Sequence, residues 1–443
     1  MNHHNMQPTI NRESSALNLM HHLRNSYYWY LLLMVMLGII AVYYRLQWGS
    51  FARFVKAIDH YTGFMLDFGI YYSMSKQILA LPTPVAGYYY TAFFALVLTP
   101  LSALKLSSAL VVWEAIQYAC VAAMCFIAAR LLTLPPPGMV LYAGLCVTSF
   151  PMLHCYRWGQ VSLLLTACIM GAFLASSKNN RVLAGVLLAF AAAIKFYPAF
   201  FILYFILKRD VRTCAAFGLA AILFYLVFPA AVLGFSHWLE FERAVIKAIR
   251  DAQWVSQNIN SQYVVHAGLR WFAIIFHRVA GNTAVRVLTI VSYVIALSSI
   301  VMVWVFQRRT SGEKHALSLV TIFLSIPFVI KTAWPHYFVY LPLCQAAVFS
   351  YYASSFRTLD LWGMVLAGLS LLSMMSSSVF IFNLFPSWYE YSSFALLFLA
   401  NLLILVSVYA ALVIKRDDCS MNQRLSAGTA EPLLLPGVQR PVP

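Results

Sequence analysis

The sequence predicts an all-α polytopic membrane protein with about twelve transmembrane helices and two structured outer loops that carry surface helices. Three observations predict it. Of the 443 residues, 62% are hydrophobic and only 10% are charged, against roughly 45–50% and about 25% in a soluble domain. A chain this apolar cannot cover its surface with polar groups unless lipid is the solvent. Its apolar residues fall into runs of spanning length separated by short loops. The 30 Lys and Arg outnumber the 14 acids and sit mainly in those loops, where they mark topology rather than a nucleic-acid partner. Six of the eight cysteines (Cys120, Cys125, Cys146, Cys155, Cys168 and Cys214) lie in or beside apolar segments, without a CxxC pair or a His ladder. Neither a disulfide framework nor a metal site is indicated.

A span needs about 20 apolar residues, somewhat fewer where the bilayer thins, because backbone amides in hydrocarbon must bond within their own helix. The qualifying segments are 27–44, 88–104, 107–129, 139–153, 161–176, 182–207, 215–234, 287–306, 316–330, 337–352, 361–382 and 392–414. The first has no small-residue cleavage site after it and reads as a retained span. This divides the chain into a cytoplasmic segment at 1–26, a membrane domain at 27–414 and a disordered cytoplasmic tail at 415–443. With both termini cytoplasmic, the inside carries Arg12, Arg24, Lys105, Arg157, Lys208, Arg209, Arg212, Arg308, Arg309, Lys314, Arg357, Lys415, Arg416, Arg424 and Arg440, while the short outside loops carry Arg130, Lys178, Arg181 and Lys331. That bias favours the orientation. Lys178 and Arg181 run against it, and breaking the sixth segment at 195–198 into two half-helices would place them inside.

Two long outer segments remain, at about 45–87 and 235–286. In the first, Asp67 shares a helical stripe with Tyr71, Met74 and Ile78. In the second, Trp238, Phe241, Val245 and Ile249 oppose Glu240, Arg243, Lys247 and Arg250, the pattern of an amphipathic helix lying on the membrane surface. Residues 264–278 are apolar enough to resemble a span, but counting them would reverse the side of Arg308, so they read as a surface or re-entrant helix.

Few acids are available for chemistry. The outer face holds Asp59, Asp67, Glu240, Glu242, Asp251 and Glu390, and Glu114 lies within an apolar run. Asp67 is bracketed by Leu66 and Phe68, where desolvation and nearby cations tune a carboxylate for proton abstraction; a helix N-cap is the plainer role, and Asp59 is the other candidate base. Lys195 stands among apolar residues before Pro198. An ionisable group at that depth costs about 2.5–3.5 kcal/mol and faces a polar cavity or partner unless it snorkels to the interface. Gln160 both donates and accepts, which suits a sugar hydroxyl or a bond between helices. Arg270 suits a bidentate grip on phosphate or a lipid headgroup. His336, near Lys331 and between Trp334 and Tyr337, suits phosphate binding, proton relay or an aromatic belt. The chain has no GxxxxGK[ST] and no cytoplasmic domain large enough for a nucleotide sugar. Its substrate is expected to arrive through the membrane.

The residues resemble glycosyltransferase family 87, polytopic enzymes of GT-C type that use polyprenyl-phosphate sugars. The resemblance runs from about Asp67 to His336. It rests on the order of Asp67-Phe68-Gly69-Ile70-Tyr71-Tyr72, Tyr88-Tyr89-Tyr90, the stretch from Leu98 to Leu104, Trp113, Gly159-Gln160-Val161, Ala184-Gly185 leading to Ile194-Lys195-Phe196-Tyr197-Pro198, Asn260-Ser261 with Arg270, and Trp334-Pro335-His336-Tyr337. Two departures stand out. The family usually reads Tyr-Pro-Pro where this chain has Tyr90-Thr91-Ala92, and Gly-Gln-Val-Asn where it has Gly159-Gln160-Val161-Ser162.

The resemblance implies a GT-C-like fold whose active site faces the periplasm or lumen, and places the protein in a bacterial inner membrane. It implies a hexosyl- or pentosyltransferase that passes a sugar, mannose favoured, from a lipid-linked donor to a glycan or glycolipid acceptor. Asp67 is then the catalytic base, with Tyr71, Tyr90, Gln160, Lys195, Asn260, Arg270, Lys331 and His336 binding substrate and with no cofactor beyond the donor itself. The rival readings are a lipid-linked glycan polymerase or ligase, and a flippase or transporter built on Lys195, Gln160 and Arg157; the latter often carries internal repeats, which the two halves do not show.

Overall fold

The computed structural model describes residue 34 and residues 65–252, 258–278, 281–308, 314–353 and 361–413. The expected first span at 27–44, the segment before it, Asp59 and the tail at 415–443 lie outside the described residues. Among the described residues the chain is mostly helical, and one isolated antiparallel bridge, Ser149 to Ser378, is the only strand-like pairing.

By length and composition three of the described helices can cross a membrane: Leu106–Leu131, Val211–Leu233 and Asn282–Arg308. The first, at 26 residues, is about 39 Å long, more than the roughly 30 Å hydrocarbon core. It buries Trp113, Met124 and Ala128 in the protein and leaves Val111 and Phe126 exposed. An outward-facing apolar surface of this kind needs lipid around it. Shorter apolar helices fill the interior. Arg181–Ile194 approaches the start of the next long helix so closely that a Cβ on Gly185 would stand 2.6 Å from the Thr213 carbonyl oxygen, the small-residue contact common between membrane helices.

Two segments expected to cross do not. Residues 88–104 fold into the short helices Ala92–Val97 and Thr99–Ser102. Both ends of this segment meet the helix Leu66–Gln77: the Tyr88 ring lies 6.5 Å from that of Tyr71, and the Tyr72 hydroxyl donates to the Leu104 carbonyl at 2.7 Å. Residues 182–207 form a hairpin. Helix Arg181–Ile194 climbs to Lys195, and a 3-10 turn at Tyr197–Phe201 and the helix Ile202–Leu207 return. Arg181 lies 3.8 Å from Asp210 and Lys208 donates to Ser176 at 3.5 Å, so the hairpin's feet are together. The break at 195–198, the alternative route for this segment, is the one taken.

These corrections exchange the ends assigned to several cations. The Met65 N–H donates to the Arg157 carbonyl at 2.6 Å, so Arg157 and Lys105 belong to the end of the bundle that holds Asp67. Arg130, Lys178 and Arg181 belong to the far end with Lys208 and Arg212. The physical reason is that hydropathy shows whether a run avoids water, not what replaces the water. Residues 92–96 are buried in protein and need no lipid.

The expected surface helix forms as Phe235–Asp251, with Glu240, Arg243, Lys247 and Arg250 exposed. Its apolar face does not lie on lipid: Trp238, Phe241 and Val245 are buried in the core, and Ile249 stays exposed. A further helix occupies Val264–Phe276.

Candidate active site

Helix Leu66–Gln77 starts after Met65, which sits in the left-handed region at φ 56° and makes no side-chain cap. Asp67 is therefore not the N-cap; it lies in the first turn, where the helix dipole favours a negative charge. Phe68 anchors the turn by stacking on Trp113, with ring centres 5.2 Å apart. The Trp113 indole N–H donates to the Gly159 carbonyl at 2.9 Å. Gly159 closes the helix Phe150–Trp158 at φ +66°, and a Cβ there would fall 2.8 Å from that of Phe68. Only glycine both adopts that turn and fits that gap.

The turn aims Gln160 back at Asp67. Its amide N–H donates to the Asp67 carboxylate, while its oxygen faces the Tyr71 and Tyr90 hydroxyls at 3.1 Å each. Those two hydroxyls are 2.8 Å apart. A carboxylate only accepts, so the NH₂ must face Asp67 and the oxygen must face the tyrosines. The amide is thereby held in one orientation.

Lys195 stands at the apex of the hairpin in extended backbone. Its ammonium lies 5.0 Å from the Tyr90 ring centre and 4.4 Å from that of Tyr337, a pair of cation–π contacts. Burial pushes the Asp67 carboxyl up to about 6, against the lowering effects of the Gln160 hydrogen bond and the Lys195 charge. A carboxyl held near 6 is still mostly ionised at neutral pH and is more basic than a solvated one.

His336 is buried in the 3-10 turn Pro335–Tyr340. It stacks on Tyr337 at 4.9 Å and lies 5.7 Å from the His154 ring, and neither of its ring nitrogens has a hydrogen-bond partner.

Asn260, Arg270 and Lys331 form a separate corner. Arg270 donates to the carbonyls of Ile259 at 3.0 Å and Ser261 at 2.7 Å. The Ser261 hydroxyl donates to the Lys331 carbonyl at 2.9 Å and lies 3.0 Å from His266 Nδ1, and the Gln262 N–H donates to the Ala333 carbonyl at 2.8 Å. Asn260 is buried, and its N–H bonds the Asn258 side chain at 2.9 Å. The Lys331 side chain is exposed. The Arg270 guanidinium, the group suited to a phosphate or headgroup, thus binds backbone.

The pattern of Glycosyltransferase family 87 matches residues 88–332, more than half of the chain. The chain belongs to glycosyltransferase family 87. No curated protein and no solved structure matches it. Asp67, Tyr71 and His336 fall outside the matched stretch of this glycosyltransferase, and the geometry ties them into it: Asp67 and Tyr71 through Gln160, His336 through Tyr337 beside Lys195. Among the described residues no three His, Cys, Asp or Glu side chains gather into a metal-ligating group.

One of the outer-face acids, Glu242, is not singled out by its sequence setting yet is buried among the core side chains. Glu242 is 4% exposed, and accepts from the Ala92 N–H at 2.9 Å and from the Tyr225 hydroxyl at 3.1 Å. Burial pushes its carboxyl up to about 7, with those two bonds pulling it down. The available signal was a carboxylate four residues after Trp238 and next to Phe241, on the buried face of an amphipathic helix.

Proposed function

We propose that this glycosyltransferase moves a sugar, with mannose favoured, from a polyprenyl-phosphate donor to a glycan or glycolipid acceptor at the periplasmic face of a bacterial inner membrane. Asp67 removes the proton from an acceptor hydroxyl as that oxygen attacks the anomeric carbon. The anomeric C–O bond to phosphate breaks, and polyprenyl phosphate leaves with the bonding electrons. A single displacement inverts the anomeric centre.

The observation that carries this reading is the buried Asp67 carboxylate, oriented by Gln160 and raised to about 6. A carboxyl with a raised pKa is a stronger base than a solvated one yet is still mostly ionised at neutral pH. Charge developing on the leaving phosphate requires cations, a role that often dominates catalysis. Lys195 is the cation whose charge reaches the Asp67 carboxylate, Lys331 is exposed at the same end, Arg270 serves only if it exchanges its carbonyl partners for phosphate oxygens, and His336, packed on Tyr337, contributes as a neutral imidazole N–H donor. The periplasmic assignment is supported by the corrected charge distribution. The far end of the bundle holds Arg130, Lys178, Arg181, Lys208, Arg209, Arg212 and Arg308, while the short loops at the Asp67 end hold Lys105, Arg157 and Lys331. Basic loops stay cytoplasmic.

The test is a single-turnover assay of the full protein in lipid, with radiolabelled polyprenyl-phosphate mannose and a membrane glycolipid extract, beside Asp67→Asn. Label that reaches a glycan with wild type alone supports the reading. Undiminished transfer by Asp67→Asn removes Asp67 as the base, and donor binding without transfer by wild type favours a ligase or flippase.

A further inference from the structure

We propose that Glu242 is a positioning residue for Asp67, acting by holding the backbone of the segment 88–92 that carries Tyr90. The proposal rests on Asp67 being the reacting base. Glu242 itself touches no reacting atom: its two oxygens face the Ala92 N–H and the Tyr225 hydroxyl.

The placement of Glu242 is costly in itself. It sits on the core face of helix Phe235–Asp251, beside Phe241 and between Trp238 and Val245, and no cation among the described residues pairs with it. A leucine would satisfy burial there with less desolvation. What the carboxylate adds is a directed acceptor. Ala92 opens the helix Ala92–Val97 after Thr91, whose side chain makes no cap, so Glu242 supplies the acceptor for an otherwise orphaned first-turn N–H.

Segment 88–92 is held to the rest of the protein at two adjacent points: Glu242 binds the Ala92 N–H, and the Thr91 hydroxyl donates to the Ala193 carbonyl. The Tyr88 hydroxyl donates to the Thr91 carbonyl at 2.9 Å and closes the segment on itself. Tyr90 lies next to these anchors, with its ring against Lys195 and its hydroxyl on the Gln160 oxygen. Gln160 then donates to Asp67. A shift at Ala92 therefore moves a hydroxyl that keeps the Gln160 oxygen turned away from the carboxylate. Thr91 and Ala92 occupy the positions where the family pattern reads Pro-Pro. Each uses a donor that proline lacks.

The two oxygens separate position from charge. Glu242→Gln keeps an oxygen for the Ala92 N–H and removes the charge; Glu242→Asp keeps the charge and withdraws it by one methylene. Ala92→Pro replaces the N–H with a ring carbon and leaves Glu242 unchanged. Thr91, at φ −72° and ψ 164°, already has the backbone that precedes proline, and the first helical position accepts proline. In the single-turnover assay with polyprenyl-phosphate mannose, Glu242→Asp and Ala92→Pro lower the transfer rate about 10- to 100-fold, as small displacements of a reacting group do. Half-saturation by the donor stays within about threefold, and Glu242→Gln stays within about threefold of wild type.

A second readout needs no turnover. The Asp67 carboxyl is followed by infrared difference titration in resting protein, its band assigned by loss in Asp67→Asn. Loosening Gln160 removes a bond that favours the ionised form, so Glu242→Asp and Ala92→Pro raise the titration midpoint and Glu242→Gln leaves it in place. An unchanged midpoint in both of the first two variants overturns the proposal, as does a Glu242→Gln variant as impaired as Glu242→Asp. If Asp67→Asn retains turnover while the midpoint still moves, the base assignment has failed and the positioning has not.

Discussion

Asp67 and Arg270 are both ionised groups at the same end of the helix bundle, and they spend their hydrogen bonds differently. Around Asp67 the partners are side chains: Gln160, with Tyr71 and Tyr90 behind it. Around Arg270 they are carbonyls of residues 259 and 261, in a corner that also ties Ser261 to Lys331. A side-chain network can be altered while the backbone stays in place, so cutting it costs activity before stability. A guanidinium that holds carbonyls is part of the frame, so cutting it costs stability before activity. The comparison breaks if either region behaves as the other should.

The largest effect is expected at Asp67. Asp67→Asn loses the base and with it about 10²–10⁴-fold in transfer rate, while thermal unfolding in detergent shows little change, because Asn keeps the shape and removes a buried charge. A large fall in unfolding midpoint would place Asp67 with Arg270 as part of the frame. Next is Gln160→Leu, which removes the hydrogen bond that lowers the Asp67 carboxyl. The wild-type rate should rise with pH through about 6 as the base ionises. In the variant that acidic limb moves to higher pH, and the rate above it falls by about tenfold or more. A limb that stays put would mean that a different group titrates.

Asp67, Gln160 and Lys195 were legible in the sequence for one reason: each is a polar or ionisable residue set among apolar neighbours. Their meeting was not legible. Hydropathy assigns Gln160 and Asp67 to opposite faces, because it treats 88–104 as a crossing and so reverses every loop up to the hairpin. That run is apolar like 107–129, but its residues 92–96 are covered by protein and its two ends return to one helix. Lys195 and Pro198 did mark the break in the next faulty segment, since a buried lysine before a proline is a poor continuation of a span. Glu242 was hidden by its own helix. An amphipathic count accepts Trp238, Phe241 and Val245 as the apolar stripe and reads the neighbouring carboxylate as its polar edge. Arg270 illustrates the opposite limit: its residue type suggests phosphate, and nothing in composition shows that two carbonyls about ten residues earlier fold back onto it.

Arg270→Met tests the frame. The change deletes two bonds from a charged donor and leaves the carbonyls of Ile259 and Ser261 without it, a loss of about 1.5–3 kcal/mol for each such bond in the least compensated case. The expected signature is a lower unfolding midpoint in detergent, with the rate per folded molecule within about tenfold of wild type. Normal stability with abolished transfer would show that Arg270 leaves its carbonyls to hold the donor phosphate.

The smallest effect is expected from Tyr71→Phe, and its size follows from counting protons. Three oxygens, those of Tyr71, Tyr90 and Gln160, lie within 2.8 to 3.1 Å of one another, but the two hydroxyls supply only two protons. The triangle therefore holds two hydrogen bonds at a time among three contacts. Removing the Tyr71 hydroxyl removes one proton, and the Tyr90 proton goes to the Gln160 oxygen undivided. The amide keeps its orientation, Asp67 keeps its donor, and the loss is near the value of one neutral bond, about 0.5–1.5 kcal/mol, with little change in rate. Tyr90→Phe should cost more, because the lost hydroxyl is the one tied through segment 88–92 to Glu242. The double variant leaves the Gln160 oxygen without either donor, so the losses should exceed the sum of the single changes. If Tyr71→Phe alone is as damaging as the pair, Tyr71 does more than share a proton, and its hydroxyl meets the substrate directly.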